Sequence, residues 1–280
     1  MEATGERLIL GTDLVDEADY YIYLLHLATY NFALPFVKNK NVLDYGCGSG
    51  YGSQMLALEA SSIVAVDISK DAIDFASKNY PANNIDFKTL NQFDNIPENK
   101  KFDVITSFQV IEHISDENKY IERLKNLLKP GGYLIISTPD KTSRLVNMIQ
   151  KPWNIFHIKE YSSRSLFRLL NKYFREIKVL KITSKPEFVE HELIRRKKQK
   201  YITLPCTLFF YPYFLRVFLL KLQARLYGYL SFLKRKIKKI PLTQKINLDN
   251  PALKYTITDI EISENPENPT DLLVVCRLVN

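Results

Sequence analysis

The sequence predicts the α/β class: a parallel sheet with helices on both faces, its strands joined by right-handed crossovers. Three observations predict it. Short apolar runs alternate with helix-forming segments of crossover length from residue 41 to about residue 184. The first run, Val42-Leu43, ends in Asp44 and opens into glycines at alternate positions, Gly46, Gly48, Gly50 and Gly52. The second run, Ile63–Val66, also ends in an acid, Asp67. Apolar run, acid, glycines and then helix formers read as strand–turn–helix. Such a turn lets backbone approach a nucleotide-like ligand at the carboxyl edge of a sheet.

Each element follows in order. Asp13–Phe36 is apolar and aromatic, with no Gly or Pro before Pro35, and reads as a helix capped by Thr12 or Asp13. The first strand and turn follow, then Ile63–Val66 as the second strand. Ser69 is placed to cap a helix Lys70–Asn79. Asn84–Thr89 and Phe102–Phe108 read as the third and fourth strands. A helix Asp116–Lys129 meets the stop Pro130-Gly131-Gly132, and Tyr133–Thr138 is the fifth strand. Ser162–Tyr173 is a helix, Ile177–Ile182 the sixth strand and Asp271–Val279 the seventh. This divides the chain into an N-terminal helical cap (1–40), a core (41–184), an insertion (185–269) and a final core strand (270–280).

Composition bounds the class. With 46% hydrophobic and 25% charged residues, the 280-residue chain suits one large globular domain plus an addition. Charges lie among the first apolar residues of MEATGERLIL, which is not a secretory-leader pattern. Cys47, Cys206 and Cys276 are scattered, as in a reducing compartment, so a cytoplasmic location is expected. No His/Cys/Asp/Glu group has metal-ligand spacing, so no metal is expected. The net charge of +8 is local. Residues 190–239 carry thirteen Lys/Arg against two Glu, and the rest of the chain is net acidic. That asymmetry points to one interaction surface.

The turn discriminates between ligands. A dinucleotide-binding turn, G-x-G-x-x-G, needs a third glycine where Tyr51 stands. The pattern D-x-G-x-G-x-G is met in full by Asp44, Gly46, Gly48 and Gly50. It suits S-adenosylmethionine (SAM), which has an ammonium group and a ribose diol but no phosphate for the acid to repel. Asp67 is spaced to accept both ribose hydroxyls.

Together with KFDVITSFQVIEHI (Lys101–Ile114) and LLKPGGYLIISTPD (Leu127–Asp140), these motifs resemble the class I SAM-dependent methyltransferases. The resemblance is strong over residues 40–140 and implies a Rossmann-like, mostly parallel seven-stranded sheet with its last strand antiparallel, and SAM as cofactor. It implies that Asp44, Gly46, Gly48 and Gly50 hold the methionine part, and that Asp67 with Ile68 beside it holds the ribose. Asn91 and Gln92 would hold the adenine, and Ser107, Phe108 and Gln109 would face the methionine end. Asn91 stands where the family usually has Asp. A narrower resemblance rests on Thr4-Gly5-Glu6-Arg7, VLDYGCGSGYGS, QVIEH and Asn154–Ser162 (NIFHIKEYS). Their usual forms, TGER and NPFHVREYS, mark a bacterial subfamily associated with surface-polysaccharide and other glycan assembly, and Ile155 replaces its common Pro.

A hydroxyl acceptor benefits from a base, worth about 10²–10⁴ in rate. His157 is the first choice, with Glu160 to orient it or to bind a sugar hydroxyl. The plainer reading is that both steady the helix beginning near Ser162. Glu112-His113 follows the fourth strand, and His113 is either catalytic or a support for the cofactor loop. His26 reads as a packed or lid residue, and His191 as solvated. Cys47 packs in the turn and is not a nucleophile. Glu6 and Arg7 are candidates to close over the site.

Within the insertion, Tyr201–Leu215 has no charge for fifteen residues, carries five crowded aromatics and is flanked by Lys and Arg. A span needs about 20 apolar residues, and Pro205 and Pro212 interrupt this run, so no transmembrane helix is predicted. An interfacial segment on an anionic membrane fits best. A helical lid or dimer contact comes next, then a nucleic-acid surface. The expected function is O-methylation of a glycan or lipid-linked sugar at the cytoplasmic membrane face. The rivals are a small lipophilic acceptor such as a quinone precursor, a nucleic-acid methyltransferase, and a non-catalytic partner that keeps the fold.

Overall fold

The computed structural model describes residues 17–91, 101–238 and 255–279. The predicted cap residues Thr12 and Asp13, the motif Thr4–Arg7 and the adenine candidate Gln92 lie outside the described residues.

Helix α1 (Glu17–Val37) leads into β1 (Asn41–Tyr45), α2 (Tyr51–Ala57), β2 (Ser62–Asp67), α3 (Lys70–Asn79), β3 (Ile85–Thr89) and β4 (Phe102–Phe108). A 3-10 turn at Ile111–His113 precedes α4 (Glu117–Leu127), β5 (Leu128–Pro139) and the short α5 (Lys141–Arg144). Then come α6 (Ser163–Leu170), β6 (Glu176–Ser184), α7 (Pro186–Thr203), α8 (Tyr213–Lys238), β7 (Ile260–Ser263) and β8 (Asp271–Arg277). The predicted cap at Ser69 is present, and Ser162 caps the helix that follows it. Ser69 accepts from the N–H of Ala72, and Ser162 accepts from that of Ser165 in a reciprocal capping box.

The strands form one sheet in the order β3-β2-β1-β4-β5-β8-β6-β7. The first five pair in parallel, and β8 runs antiparallel between β5 and β6. The expectation of seven strands is corrected to eight among the described residues. Ile260–Ser263, inside the predicted insertion, pairs antiparallel with Lys181–Ser184 at the sheet edge. Four residues of alternating Ile and polar side chains bury too little to announce a strand without their partner. The predicted stop at Pro130-Gly131-Gly132 is also moved. Helix α4 ends at Leu127, and Leu128 is already extended and paired with Phe102.

The sheet is buried on both faces, as parallel sheets are. Successive strand residues feed alternate cores. Val42, Ala65, Val104 and Ile135 pack with Tyr21, Leu25, Tyr30 and Leu56 of α1 and α2. Their neighbours Leu43, Val64, Ile105 and Ile136 pack with Ile121, Leu124, Leu166 and Leu170 of α4 and α6. The segment after β6 is tied to this body. Phe188 and Val189 of α7 are buried against α1, and Phe188 stacks on Tyr255 with ring centroids 4.2 Å apart.

Candidate active site

The carboxyl ends of β1, β2 and β4 surround a cavity of about 500 Å³, within the range of a small-molecule site. The turn after β1 forms its floor. Gly46, Gly48 and Gly50 all have positive φ (85°, 54° and 90°), which explains glycine at each. Their surroundings differ. A Cβ on Gly50 would meet the Cβ of Ala76 at 2.5 Å, whereas one on Gly48 would meet nothing within 4 Å among the described residues beyond its chain neighbours. Gly50 is therefore packing and Gly48 is cavity wall.

Asp44 lies beneath the turn, fully buried, and is absent from the residues lining the cavity. It accepts hydrogen bonds from Ser53 Oγ at 2.6 Å, Thr106 Oγ1 at 2.9 Å and Tyr30 OH at 3.3 Å. Burial raises its pKa to about 6 against these hydroxyls. Asp67 lines the cavity. Its Oδ2 accepts from the Gly48 N–H at 3.1 Å and its Oδ1 from the Ser69 N–H at 2.8 Å, so β2 and the turn are locked together.

Ile68, 79% exposed, and Leu90 provide apolar wall beside Asp67, and Phe108 and Gln109 close the β4 side. Asn91 is exposed and is not among the lining residues, where Leu90 takes its place. Ser107 points into the sheet, where its Oγ donates to the Tyr45 carbonyl at 3.0 Å and meets Tyr120 OH at 2.5 Å. Gln109 holds a left-handed φ of 56° and donates from Nε2 to Asp271 Oδ1 at 3.1 Å. His26, read as a lid residue, stands on the wall with Nδ1 3.1 Å from Tyr51 OH. Burial lowers its pKa to about 4, so it is neutral near pH 7.

The far end of the cavity is a histidine cluster. His113 is on the wall, with Nδ1 3.2 Å from the carbonyl of Phe156. His157 is behind it, 5% exposed, with the two rings edge to face at 4.9 Å. Of the two, His113 lines the cavity and His157 does not. His157 Nδ1 lies 2.8 Å from Glu160 Oε1, which also accepts from Arg144 Nε at 3.0 Å. Burial pushes the pKa of Glu160 up, but Arg144 and the His157 contact outweigh it and hold it at about 2. Glu160 Oε2 is buried with no hydrogen-bond partner among the described residues. Glu112 completes the group. Its Oε2 accepts from Thr138 Oγ1 at 2.9 Å, and burial raises its pKa to about 7. The backbone brings these segments together: the Glu112 carbonyl accepts from the N–H of Ile158 at 2.8 Å and of Lys159 at 3.2 Å.

Ligand atoms of Glu112, His113 and His157 all lie within 4.8 Å of one another. No metal-ligand spacing in the sequence announces this grouping. His157 is remote in sequence, and only the return of the chain after β5 brings it to the Glu112-His113 pair.

Sequence reasoning also missed two interior arginines that tie the last helices to the site. Arg196 of α7 is 3% exposed and donates to Glu192, to the Thr270 carbonyl and to Asp271 Oδ2, whose other oxygen holds Gln109. Arg216 of α8 is 1% exposed and donates to the carbonyls of Pro152 at 2.7 Å and His157 at 2.9 Å. Both were counted in the surface charge block, and both are interior. The opposite side of α8 is apolar and open: Phe214, Phe218, Leu222 and Leu226 are exposed at four-residue spacing, with exposed Lys221 and Arg225 among them. Among the described residues no helix is long and apolar enough to cross a membrane.

Comparisons place this arrangement among known proteins. The family model described as "Methyltransferase domain" matches residues 19–173. A Mycobacterium tuberculosis protein named "Probable S-adenosylmethionine-dependent methyltransferase" is 30% identical over 167 residues, 60% of this chain and 58% of that protein. The ubiquinone biosynthesis O-methyltransferase of Bartonella tribocorum is 34% identical over 111 residues, 39% of this chain and 44% of that enzyme. The chain thus spans about half the length of the curated relatives it matches. The solved structure of the YcgJ protein of Bacillus subtilis superposes with a TM-score of 0.51 at 14% identity, covering 92% of this chain and 99% of that one. A SAM-dependent methyltransferase of Thermotoga maritima gives 0.51 at 14%, covering 95% and 96%. These two likenesses concern the fold.

Proposed function

The chain belongs to the methyltransferase-domain family of SAM-dependent enzymes, and from that premise we propose that it methylates a hydroxyl of a glycan or lipid-linked sugar at the cytoplasmic face of a membrane. The observation that carries the reading is a cavity with a cofactor floor at one end and a histidine–carboxylate cluster at the other.

The residues present fit SAM. The side of Gly48 that a Cβ would fill is open, and Asp67 stands beside it with both oxygens already oriented by backbone N–H groups. Gly46, Gly48 and Gln109 would hold the methionine part, Asp67 the ribose, and Ile68 with Leu90 the adenine. SAM, when bound, supplies an electrophilic sulfonium methyl group. The protein orients the acceptor, excludes water and receives or steers a proton. His113 on the wall, backed by His157 and Glu160, is the group placed for an acceptor hydroxyl.

Two features support the acceptor class. The motif Asn154–Ser162, which resembles that of glycan-assembly methyltransferases, supplies His157 and Glu160. The exposed aromatic face of α8, with its cations, suits the headgroup region of an anionic membrane. A second reading, a quinone-precursor hydroxyl, is favoured by the ubiquinone O-methyltransferase relative and uses the same membrane face.

Calorimetry with SAM tests the first premise, and micromolar binding is expected. Incubation with SAM and lipid extracts, followed by mass spectrometry for methylated products, tests the acceptor. A methylated saccharide-lipid supports the glycan reading. A methylated quinone precursor replaces it, and absence of SAM binding refutes the enzyme reading.

A further inference from the structure

We propose that Glu112, His113 and His157 form a binding site for a divalent transition ion of the zinc type, with its open coordination positions facing the cavity. Two imidazoles and a carboxylate are a common three-ligand set for a catalytic ion that keeps a place for a substrate oxygen. Their ligand atoms lie within 4.8 Å of one another, and bonds of about 2 Å would bring such atoms to within about 4 Å of each other. Small side-chain rotations close that gap.

The surroundings of the three side chains argue for ligation more than the spacing does. Metal-bound histidines generally commit their second ring nitrogen to a carboxylate or a backbone carbonyl, which fixes tautomer and ring direction. Both histidines show this. Nδ1 of His157 meets Glu160 Oε1 at 2.8 Å, and Nδ1 of His113 meets the Phe156 carbonyl at 3.2 Å. Nε2 would then be the coordinating atom of each ring. The Glu112 carboxylate is itself held, by Thr138 at 2.9 Å. Glu160, buried and anchored by Arg144, adds negative charge next to His157, and its Oε2 has no hydrogen-bond partner among the described residues. A cation among these groups would offset two buried carboxylates.

The ligands come from two segments, the 3-10 turn after β4 and the chain after β5. These are clamped by the Glu112 carbonyl and, from α8, by Arg216 on the His157 carbonyl. His113 lines the cavity, so an acceptor oxygen entering there would reach the ion. Coordination would orient that hydroxyl and ease loss of its proton to solvent at the cavity mouth. What the ion would do rests on the methyltransferase reading, whereas its binding does not.

The test uses tag-free protein, stripped with chelator and dialysed against Zn²⁺, with bound zinc counted by mass spectrometry. One ion per chain is expected. Co²⁺ in its place should give visible absorption bands of a low-coordinate nitrogen/oxygen site. His113→Ala, Glu112→Gln and His157→Ala should each weaken Zn²⁺ at least about a hundredfold, and Glu160→Gln by about 10–100-fold. SAM calorimetry on the same samples reports the fold, and His113→Ala, at the wall, is the variant expected to keep SAM binding. Absence of stoichiometric zinc in wild-type protein overturns the proposal. So does undiminished zinc binding in His113→Ala, which would locate the ion elsewhere. Zinc binding without SAM binding would leave the site standing and remove the proposed function. SAM binding without zinc would do the reverse.

Discussion

Arg216, in the first half of α8, donates from its guanidinium to the backbone carbonyl of His157 at 2.9 Å. A helix whose outer face is open and aromatic therefore holds, on its inner face, the segment that supplies the histidine cluster. The same guanidinium holds the Pro152 carbonyl at 2.7 Å. Arg216→Met removes two charge-assisted hydrogen bonds to buried carbonyls and should destabilise the protein by about 2 kcal/mol. Chemical denaturation measures the loss. Hydrogen exchange should locate the loosening at residues 152–160, and uniform exchange across the chain would argue against this clamp.

Gly48 and Gly50 share positive φ but not surroundings, so alanine should separate them. Gly50→Ala drives a Cβ into Ala76 and should cost about 2–4 kcal/mol from strain and overpacking together. Gly48→Ala meets no atom within 4 Å among the described residues beyond its chain neighbours and should cost about 1 kcal/mol, while its methyl group narrows the cavity floor and abolishes measurable SAM binding. Thermal melts and calorimetry on the pair would show the contrast. Equal melting temperatures would contradict it.

Asp67→Ala removes the carboxylate expected to meet the ribose. SAM affinity should fall about 10–100-fold, the worth of charged hydrogen bonds. Loss of the two backbone N–H contacts adds a modest stability cost. Calorimetry separates the two effects. Asp67→Asn should bind SAM more tightly than Asp67→Ala but less tightly than the wild type.

Asp44 links stability to pH. Its folded-state pKa is about 6, above the ordinary 3.8, because burial disfavours the anion. The folded state thus binds the proton more tightly than the unfolded chain. This contribution is fully present below about pH 4 and is lost as pH rises through 6. It amounts to about 3 kcal/mol for a shift of about two units. In Asp44→Asn the fall should vanish. The difference between wild-type and variant stability, measured by urea unfolding from pH 4 to 7, isolates it from other titrating groups. A pH-independent difference would show that Asp44 is ionised throughout.

Phe214 and Phe218 are 74% and 61% exposed on the open face of α8. Phe214→Ser with Phe218→Ser should leave the fold and SAM binding intact while weakening co-sedimentation with anionic vesicles at least about tenfold. Wild-type binding should itself weaken with added salt, as an electrostatic contact does. Unaltered sedimentation of the double variant would remove this face from the membrane reading.

The strands and the turn were legible because their signals are local. Val42-Leu43 ending in Asp44, the alternating glycines and the cap Ser69 each act within a few residues, where φ/ψ preferences and side-chain period decide the outcome. Phe102–Phe108 and Lys70–Asn79 even carry the expected limits. The edge strand Ile260–Ser263 was not legible, since a four-residue strand is defined by the partner it pairs with.

By itself the sequence determined the α/β class, the order of the core elements and the turn that suits SAM. Tertiary structure alone decided which side chains share a space. It set Asp44 beneath the turn, put Leu90 on the wall where Asn91 was expected, exchanged His157 for His113 on the cavity wall, and carried Arg196 and Arg216 from an expected surface into the interior. The physical reason is that burial and electrostatics depend on distance in space. Glu112 and His157 become neighbours only when the chain after β5 hydrogen-bonds back to the turn after β4. No local preference at either residue encodes that meeting.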